Sequence, residues 1–364
     1  MRRNLFRERL SPFLREKLNL LLQEQGEFSS AYRGLAIQYL WHPREDVETP
    51  EVNIRHYDAD IASDVQGADH ASGMERLYRR TLVIEPTMAC LANCRFCLRS
   101  NYPRHTLTEN ELVAIAKYCG NEQNRGILNE VLITGGDPLT IPHRVGVLLE
   151  ALIEYAPNIR IIRLATRIPT QDPERIDDDV LALFKNKPTL RFELATQINH
   201  PIELSFEESQ QAFQRILKSG TRVYSQNVLL KGVNDDIDTL VDLYDAMREN
   251  NIEAHYLFHA IPMQGTHHLR CSLDKGLCLA RQLTSCGKIS GRSKPMFAAM
   301  TEIGKITLYE GTIMCREKGR LLLNSNYKLS DRLAWNPSFR LPNSAVVSES
   351  GHLQIWYLDG NDCC

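Results

Sequence analysis

Three cysteines carry the most specific chemistry in the chain. Cys90-Leu-Ala-Asn-Cys94-Arg-Phe-Cys97 sets three thiols at C-x3-C-x2-C spacing, directly after the apolar run Thr81-Leu82-Val83-Ile84. Thiolates are the usual ligands of iron–sulfur clusters, and a cubane takes four of them. With only three protein thiols, one iron keeps an open coordination position, where a small molecule can bind. A structural zinc knuckle is the competing reading. It calls for a second Cys/His pair roughly 12–20 residues on. Leu98–Tyr118 offers only His105, with a single Cys119 just beyond. The spacing therefore predicts a [4Fe–4S] cluster held by Cys90, Cys94 and Cys97.

Composition narrows the class. At 364 residues the chain is long enough for a barrel with extensions. A net charge of −2 gives no electrostatic footprint for nucleic acid. The sequence contains no run of eighteen apolar residues, so no membrane-spanning helix is expected. The basic N-terminus lacks a following apolar stretch and does not read as a signal peptide. Ten cysteines without such a signal point to a reducing, cytoplasmic setting and to metal instead of disulfides.

The elements that would position the thiols follow from periodicity. Residues 8–40 show two helical patterns, and 43–75 form a polar connecting segment without clear period. Strand-like runs then appear at 81–87, 129–134, 159–165, 190–196, 222–230 and 253–259. Helical patterns lie at 107–119, 141–155, 174–185, 206–219, 236–250 and 272–284. Thr108, Ser205 and Asp235 read as helix N-caps and Gly220 as a C-cap. Six β–α units in succession predict a parallel α/β sheet. No G-x-G-x-x-G opens a helix, and six units suit a partial (β/α)6 TIM-type barrel. The expected organisation is an N-terminal helical extension and linker (1–75), the barrel (76–290) and a small, mostly β C-terminal extension (291–364).

In such a barrel, reactive groups lie at the carboxyl ends of the strands. The runs end in Cys90, Cys94 and Cys97; in Gly135-Gly136-Asp137; in Arg163 and Arg167; in Gln197 and His200; in Gln226; and in His255 and His259. Every strand thus delivers polar groups to one rim. Adjacent glycines let backbone approach a ligand closely and present its N–H and C=O groups, or else simply turn the chain from strand to helix.

The cysteine spacing, with Phe96 before the last thiol, resembles the radical S-adenosylmethionine (SAM) superfamily. From Arg76 to about Ser290 the chain is similar to the lysine 2,3-aminomutase branch. The supporting stretches are Leu132-Ile-Thr-Gly-Gly-Asp-Pro-Leu139, Arg163-Leu-Ala-Thr-Arg-Ile-Pro169, Asn199-His-Pro201, Gln226-Asn-Val-Leu-Leu-Lys-Gly-Val-Asn-Asp235 and Ser272-Leu-Asp-Lys-Gly276. The resemblance implies SAM chelated to the open iron and cleaved by one electron to a 5′-deoxyadenosyl radical. It places Gly135 and Gly136 at the SAM amino group, with Asp137 as acceptor. Phe96 falls near the adenine, and Gln197, His200 and Gln226 line the SAM pocket. Arg99 is implied to hold a substrate carboxylate. Arg76 and Arg80 stand at the spacing of the pyridoxal phosphate (PLP) phosphate grip. An external donor such as flavodoxin or ferredoxin would supply the electron, and homo-oligomerisation is left open.

The branch binds PLP through a lysine in a Gly-rich run. Here Ser290–Gly311 lacks that run. Lys305 is the nearest match and Lys294 a weaker one, while Gly304-Lys305-Ile-Thr-Leu also reads as a plain hairpin. The acids that read a substrate's distal amine are replaced by His259-Ala-Ile-Pro and Ala298-Ala299-Met300. Hydrogen abstraction from an amino acid or similar zwitterion, with lost or altered PLP binding, is the expectation. A PLP-dependent 2,3-aminomutase and a non-catalytic iron–sulfur protein are the alternatives. Cys271, Cys278, Cys286 and Cys315 are candidate hydrogen donors, and Cys363-Cys364 reads as a tail.

Overall fold

Alternation along each strand decides which side chains face a central lumen and which face the surrounding helices. In Glu130–Gly135, Val131 and Ile133 are fully buried against helices, while Glu130, Leu132 and Thr134 are half-buried on the other face. Ile161–Ala165 repeats the pattern. The structure, a computed structural model, describes residues 6–47, 73–184, 190–337 and 339–361.

The chain begins with helices α1 (Pro12–Gln25) and α2 (Ser30–Tyr39), capped by Ser11 and Ser29. Then come strands β1 (Met74–Tyr78) and β2 (Thr81–Thr87), helices α3 (Glu109–Cys119) and α4 (Glu122–Arg125), β3 (Glu130–Gly135), α5 (Pro142–Tyr155) and β4 (Ile161–Ala165). Next are α6 (Ile168–Gln171), α7 (Asp178–Leu183), β5 (Arg191–Thr196), α8 (Glu207–Lys218), β6 (Arg222–Leu229), α9 (Ile237–Glu249), β7 (Glu253–His259) and α10 (Leu273–Ser285). The chain continues through β8 (Met296–Thr301), β9 (Gly304–Thr307), β10 (Ile313–Glu317), β11 (Arg320–Lys328), α11 (Leu329–Trp335), β12 (Ala345–Val347) and β13 (His352–Leu358).

Strands β1 to β9 form one sheet in chain order, with β2 through β8 all parallel. The sheet is curled into a partial TIM-type barrel. Strands β1 and β9 are antiparallel edges, each joined to its neighbour as a hairpin. The six expected parallel strands are present, and β8 adds a seventh. It lies in the stretch that sequence alone assigned to the C-terminal extension. Strands β10, β11, β13 and β12 form a separate antiparallel sheet.

The helix starts differ in detail from expectation. Thr108 forms a full capping box with Glu111, as its type and spacing favour. Asp236, not Asp235, caps α9. Asp235 instead accepts from the Gly232 amide and pairs with Lys275. Ser205 turns its hydroxyl to the Ile202 carbonyl, leaving Phe206 at the α8 cap position. Among the described residues no helix is long and apolar enough to cross a membrane.

Candidate active site

The three cysteines lie on the loop that follows β2, and the glycine pair at the end of β3 fixes where that loop runs. Gly135 has φ +110°, a region that disfavours side chains, and a Cβ there would collide with the Thr87 carbonyl oxygen. A Cβ on Gly136 would collide with the Ala89 carbonyl oxygen. Gly136 N donates to Thr87 O at 2.6 Å and Asp137 N to Ala89 O at 2.8 Å. Two glycines therefore dock the end of β3 against the residues leading into Cys90. In this structure the Gly136 amide serves the loop itself.

All three thiols are unbridged and half-buried. Burial pushes the Cys90 thiol well above its usual range, with Cys97, Asp137 and Cys94 close enough to add to the effect. Among the described residues no three His, Cys, Asp or Glu side chains converge on one metal ion. A cubane asks for something different, one thiolate on each of several irons. Three half-buried thiols on one short loop fit that demand.

Around Cys94 lies a buried polar network. Arg167 Nη1 donates to Cys94 Sγ at 2.9 Å, and Gln171 Nε2 donates to the same sulfur at 3.4 Å. Arg167 Nη2 donates to Glu203 Oε2 at 2.7 Å and to Gln38 Oε1 at 3.0 Å. Glu203 Oε1 accepts from Gln38 Nε2 at 3.0 Å and from the Asn199 amide at 2.7 Å. The Arg167 guanidinium lies 5.2 Å from the Tyr39 ring and 5.6 Å from Phe96. Desolvation opposes its charge, but Cys94, Tyr39 and Glu203 outweigh that and hold it firmly cationic. Sequence placed Arg167 at the rim through its strand-end position. It gave no signal for Gln38, which sits on α2 far away in the chain.

The same loop is gripped by the N-terminal segment. Arg95 and Glu45 form a fully buried ion pair, and Arg95 Nη1 donates to Phe6 O at 3.0 Å. Asn93 N donates to Arg9 O at 3.0 Å, and Arg9 Nη1 to Cys90 O at 2.9 Å. Leu14, Leu18, Leu35 and Tyr39 pack with Ala92 into an apolar cluster that includes Cys94 at its edge.

The remaining predicted residues divide. Phe96 is buried with Val228, Phe258 and Ala298 at the lumen. Gln226 is half-buried in β6, on the face shared with Tyr224 and Val228. Gln197 is half-buried just after β5. Asp137 is saturated by the protein: its carboxylate accepts from Thr166 Oγ1 at 2.8 Å, Arg167 N at 2.8 Å and Leu139 N at 3.1 Å. It ties the β3 loop to the β4 loop in place of facing a ligand ammonium. Burial raises its pKa against those donors. His200 is buried under α2, with Nε2 3.2 Å from Ser30 Oγ and Nδ1 accepting from the Ile202 amide. Burial lowers its pKa.

Arg99 stands beside the cysteines but pairs with Glu85 and, at 3.3 Å, with Glu75. Desolvation works against its charge, yet Glu85 and Glu75 hold it above its ordinary value. A substrate carboxylate would have to share this guanidinium with two protein carboxylates.

Lys305 points into the lumen from β9. Its ammonium lies 5.1 Å from the Tyr256 ring and 5.6 Å from Phe258. Burial lowers its pKa to about 8, the nearby Arg163 adding to the shift and Glu130 opposing it. Arg163 pairs with Glu130, and its Nη1 donates to Tyr224 OH at 3.5 Å. His255, stacked 4.1 Å from Tyr256, is pushed down to about 4 by burial and the cations Lys305 and Arg163.

The expected phosphate grip does not assemble. Arg80 is exposed in the β1–β2 turn, at the amino end of the parallel strand β2 and away from the rim. Arg76 is buried but donates to Asn124 Oδ1 at 3.0 Å and Arg79 O at 2.7 Å. Lys294 is spent on the Thr284 carbonyl at 2.8 Å. His259 is buried between Tyr357 OH at 2.7 Å and Cys271 O at 2.9 Å, so it joins barrel to C-terminal sheet. Cys363 and Cys364 lie outside the described residues.

Residues 84–244 match the profile of the Radical SAM superfamily. That match covers under half of the chain, and the curated proteins the chain is similar to carry lysine 2,3-aminomutase names. An Aquifex aeolicus relative, named provisionally for L-lysine 2,3-aminomutase, is 33% identical over 64% of this chain and 62% of its own. The L-lysine 2,3-aminomutase of Escherichia coli is 30% identical over 64% of this chain and 66% of its own. The glutamate 2,3-aminomutase of Clostridioides difficile is 27% identical over 62% and 53%. The match thus spans less than two thirds of each relative's length. A radical SAM methyltransferase structure from Sphaerobacter thermophilus aligns with TM-score 0.49 at 18% identity, over 63% of this chain and 69% of that one. The superfamily implies a [4Fe–4S] cluster and SAM.

Proposed function

We propose that the chain is a radical SAM enzyme that abstracts hydrogen from an amino acid or a similar small zwitterion. The observation that carries this reading is the loop Cys90–Cys97, held at the rim with three half-buried thiols that leave one iron of a cubane open. When bound, the cluster and SAM supply a 5′-deoxyadenosyl radical by one-electron cleavage, the electron coming from an external donor such as flavodoxin or ferredoxin.

The chain's own residues have separate tasks. Cys90, Cys94 and Cys97 hold the cluster. Gly135 and Gly136 keep the loop against β3. Phe96, Gln197 and Gln226 border the space where SAM would lie. Arg99 offers a guanidinium whose charge Glu85 and Glu75 already share. A substrate that uses Arg99 would therefore need an amine able to engage the freed carboxylate.

The residues present do not make a complete PLP site, because Arg76 is spent on Asn124 and the Arg79 carbonyl and Arg80 is exposed. We therefore favour lost or altered PLP binding, with the radical resolved by isomerisation, elimination or oxidation. A 2,3-aminomutase is the second reading, and Lys305 favours it. A lumen-facing amine with a lowered pKa is the kind of lysine that condenses with carbonyls.

The deciding experiment incubates anaerobically reconstituted protein with SAM, dithionite and a panel of amino acids. Release of 5′-deoxyadenosine that one amino acid accelerates supports the proposal. A fully cluster-loaded protein that releases none overturns it in favour of a non-catalytic iron–sulfur protein. Borohydride trapping with PLP, mapped to Lys305, then separates the two readings.

A further inference from the structure

Cys94 differs from an ordinary rim thiol in that two side-chain N–H donors reach its sulfur, Arg167 Nη1 at 2.9 Å and Gln171 Nε2 at 3.4 Å. Arg167 is itself nearly inaccessible, and it is oriented from three sides. Glu203 and Gln38 take Nη2, and the Tyr39 and Phe96 rings stand near its guanidinium. Helix α2 supplies two of those four neighbours, so an element outside the barrel aims a cation at a cluster ligand.

Resting on the radical SAM reading, we propose that Arg167 is a positioning residue that sets the reduction potential of the cluster through Cys94, with Glu203 as its counterweight. A hydrogen bond and a positive charge at a ligating sulfur stabilise the more negative, reduced cluster and raise its potential. In a buried site these effects are weakly screened. Glu203 offsets part of the Arg167 charge, so its carboxylate pulls the potential back down. The two residues thus act with opposite signs on one iron. A purely structural pair would not.

The test compares wild type, Glu203→Gln, and the double variant Arg167→Met with Glu203→Gln, which avoids leaving a buried carboxylate without its cation. Each is reconstituted anaerobically, its iron and sulfide are counted, and it is poised without SAM at one fixed potential with dithionite and mediators. The reduced cluster is then measured by electron paramagnetic resonance. The double variant is expected to keep its iron and to show a reduced-to-oxidised ratio about tenfold lower, equivalent to about 59 mV for one electron. Glu203→Gln should show a higher ratio than wild type. Equal ratios in all three overturn the inference. If the double variant does not keep iron, Glu203→Gln decides alone: a rise supports the inference, and no change or a fall overturns it. Wild type that assembles no cluster overturns the radical SAM reading itself. A normal cluster with unmoved potentials overturns only the role of Arg167.

Discussion

Lys305 is the residue whose chemistry departs furthest from its free state. An ammonium enclosed beside Arg163 and against two aromatic faces loses water and gains a like charge that Glu130 only partly offsets. Its folded pKa of about 8 lies below the ordinary lysine value of 10.5. Below pH 8 both folded and unfolded chains carry the proton, and the cost of enclosing the charge is fully present. Between pH 8 and 10.5 the unfolded chain binds a proton that the folded chain does not, so stability rises with pH across that window. Wild type should therefore gain on Lys305→Met in urea denaturation as pH climbs from 8 to 10.5, while below 8 the two curves run parallel. A constant difference throughout would mean that the amine is well solvated. His255 works in the acid range. Held down to about 4, it resists a proton that the unfolded chain accepts near 6.5. It should thus contribute a loss of stability as pH falls from 6.5 to 4, absent in His255→Phe.

At the scale of elements, the N-terminal segment and the cysteine loop are joined through a buried ion pair. Glu45 belongs to the short turn Pro43–Asp46, and Arg95 lies between two of the cysteines. Glu45→Gln strips the carboxylate charge from a buried guanidinium and should cost about 3–5 kcal/mol, with reduced iron per chain. Replacing both, as Glu45→Leu with Arg95→Met, should cost far less in urea denaturation while still loosening the loop. If the single and double variants lose the same stability, the pair is not the fastener. Little of this contact was legible in sequence. Apolar period announces a buried face, and so β2 to β7 were read almost residue for residue. A polar side chain turned inward looks the same in sequence as a solvated one, which hid Gln38, Glu45 and Glu203. Strand β8 was read as a strand, from Phe297 onward, but assigned to the C-terminal extension for a related reason. Its lumen-facing Ala298 and outward Phe297 and Ala299 are all buried, so the run lacks alternation and reads as any apolar strand. The cysteine loop itself was legible because covalent spacing, unlike burial, is written directly in the chain. Roles carried over with it fared unevenly: Asp137 and His200 sit at the rim but are turned into the protein.

For the whole molecule, the barrel rim is finished by two additions. Helices α1 and α2 cover the cysteine loop, and β13 locks the end of β7 through Tyr357 and His259. Arg270 reinforces that lock, donating to Leu358 O at 2.6 Å and Asp359 O at 2.9 Å. The loop around the thiols is thereby held by contacts that involve no sulfur. Asn93 is tied to Arg7 and Arg9, Arg95 to Glu45, and Arg104 to Met88 O at 2.7 Å. If metal were the staple of this region, as in a structural zinc site, removing one ligand should collapse it. The contacts argue the reverse. Cys97→Ala should fold with a urea midpoint corresponding to a loss within about 1 kcal/mol, bind far less iron, and release no 5′-deoxyadenosine from SAM. Gly136→Ala should lose more stability than Cys97→Ala and also bind less iron than wild type, because a Cβ at that position drives into the Ala89 carbonyl and unseats the loop from β3. Iron content, denaturation midpoint and nucleoside release, measured together on both variants, separate a cluster carried by a preformed rim from a rim built by its cluster. Unfolding of Cys97→Ala would establish the second.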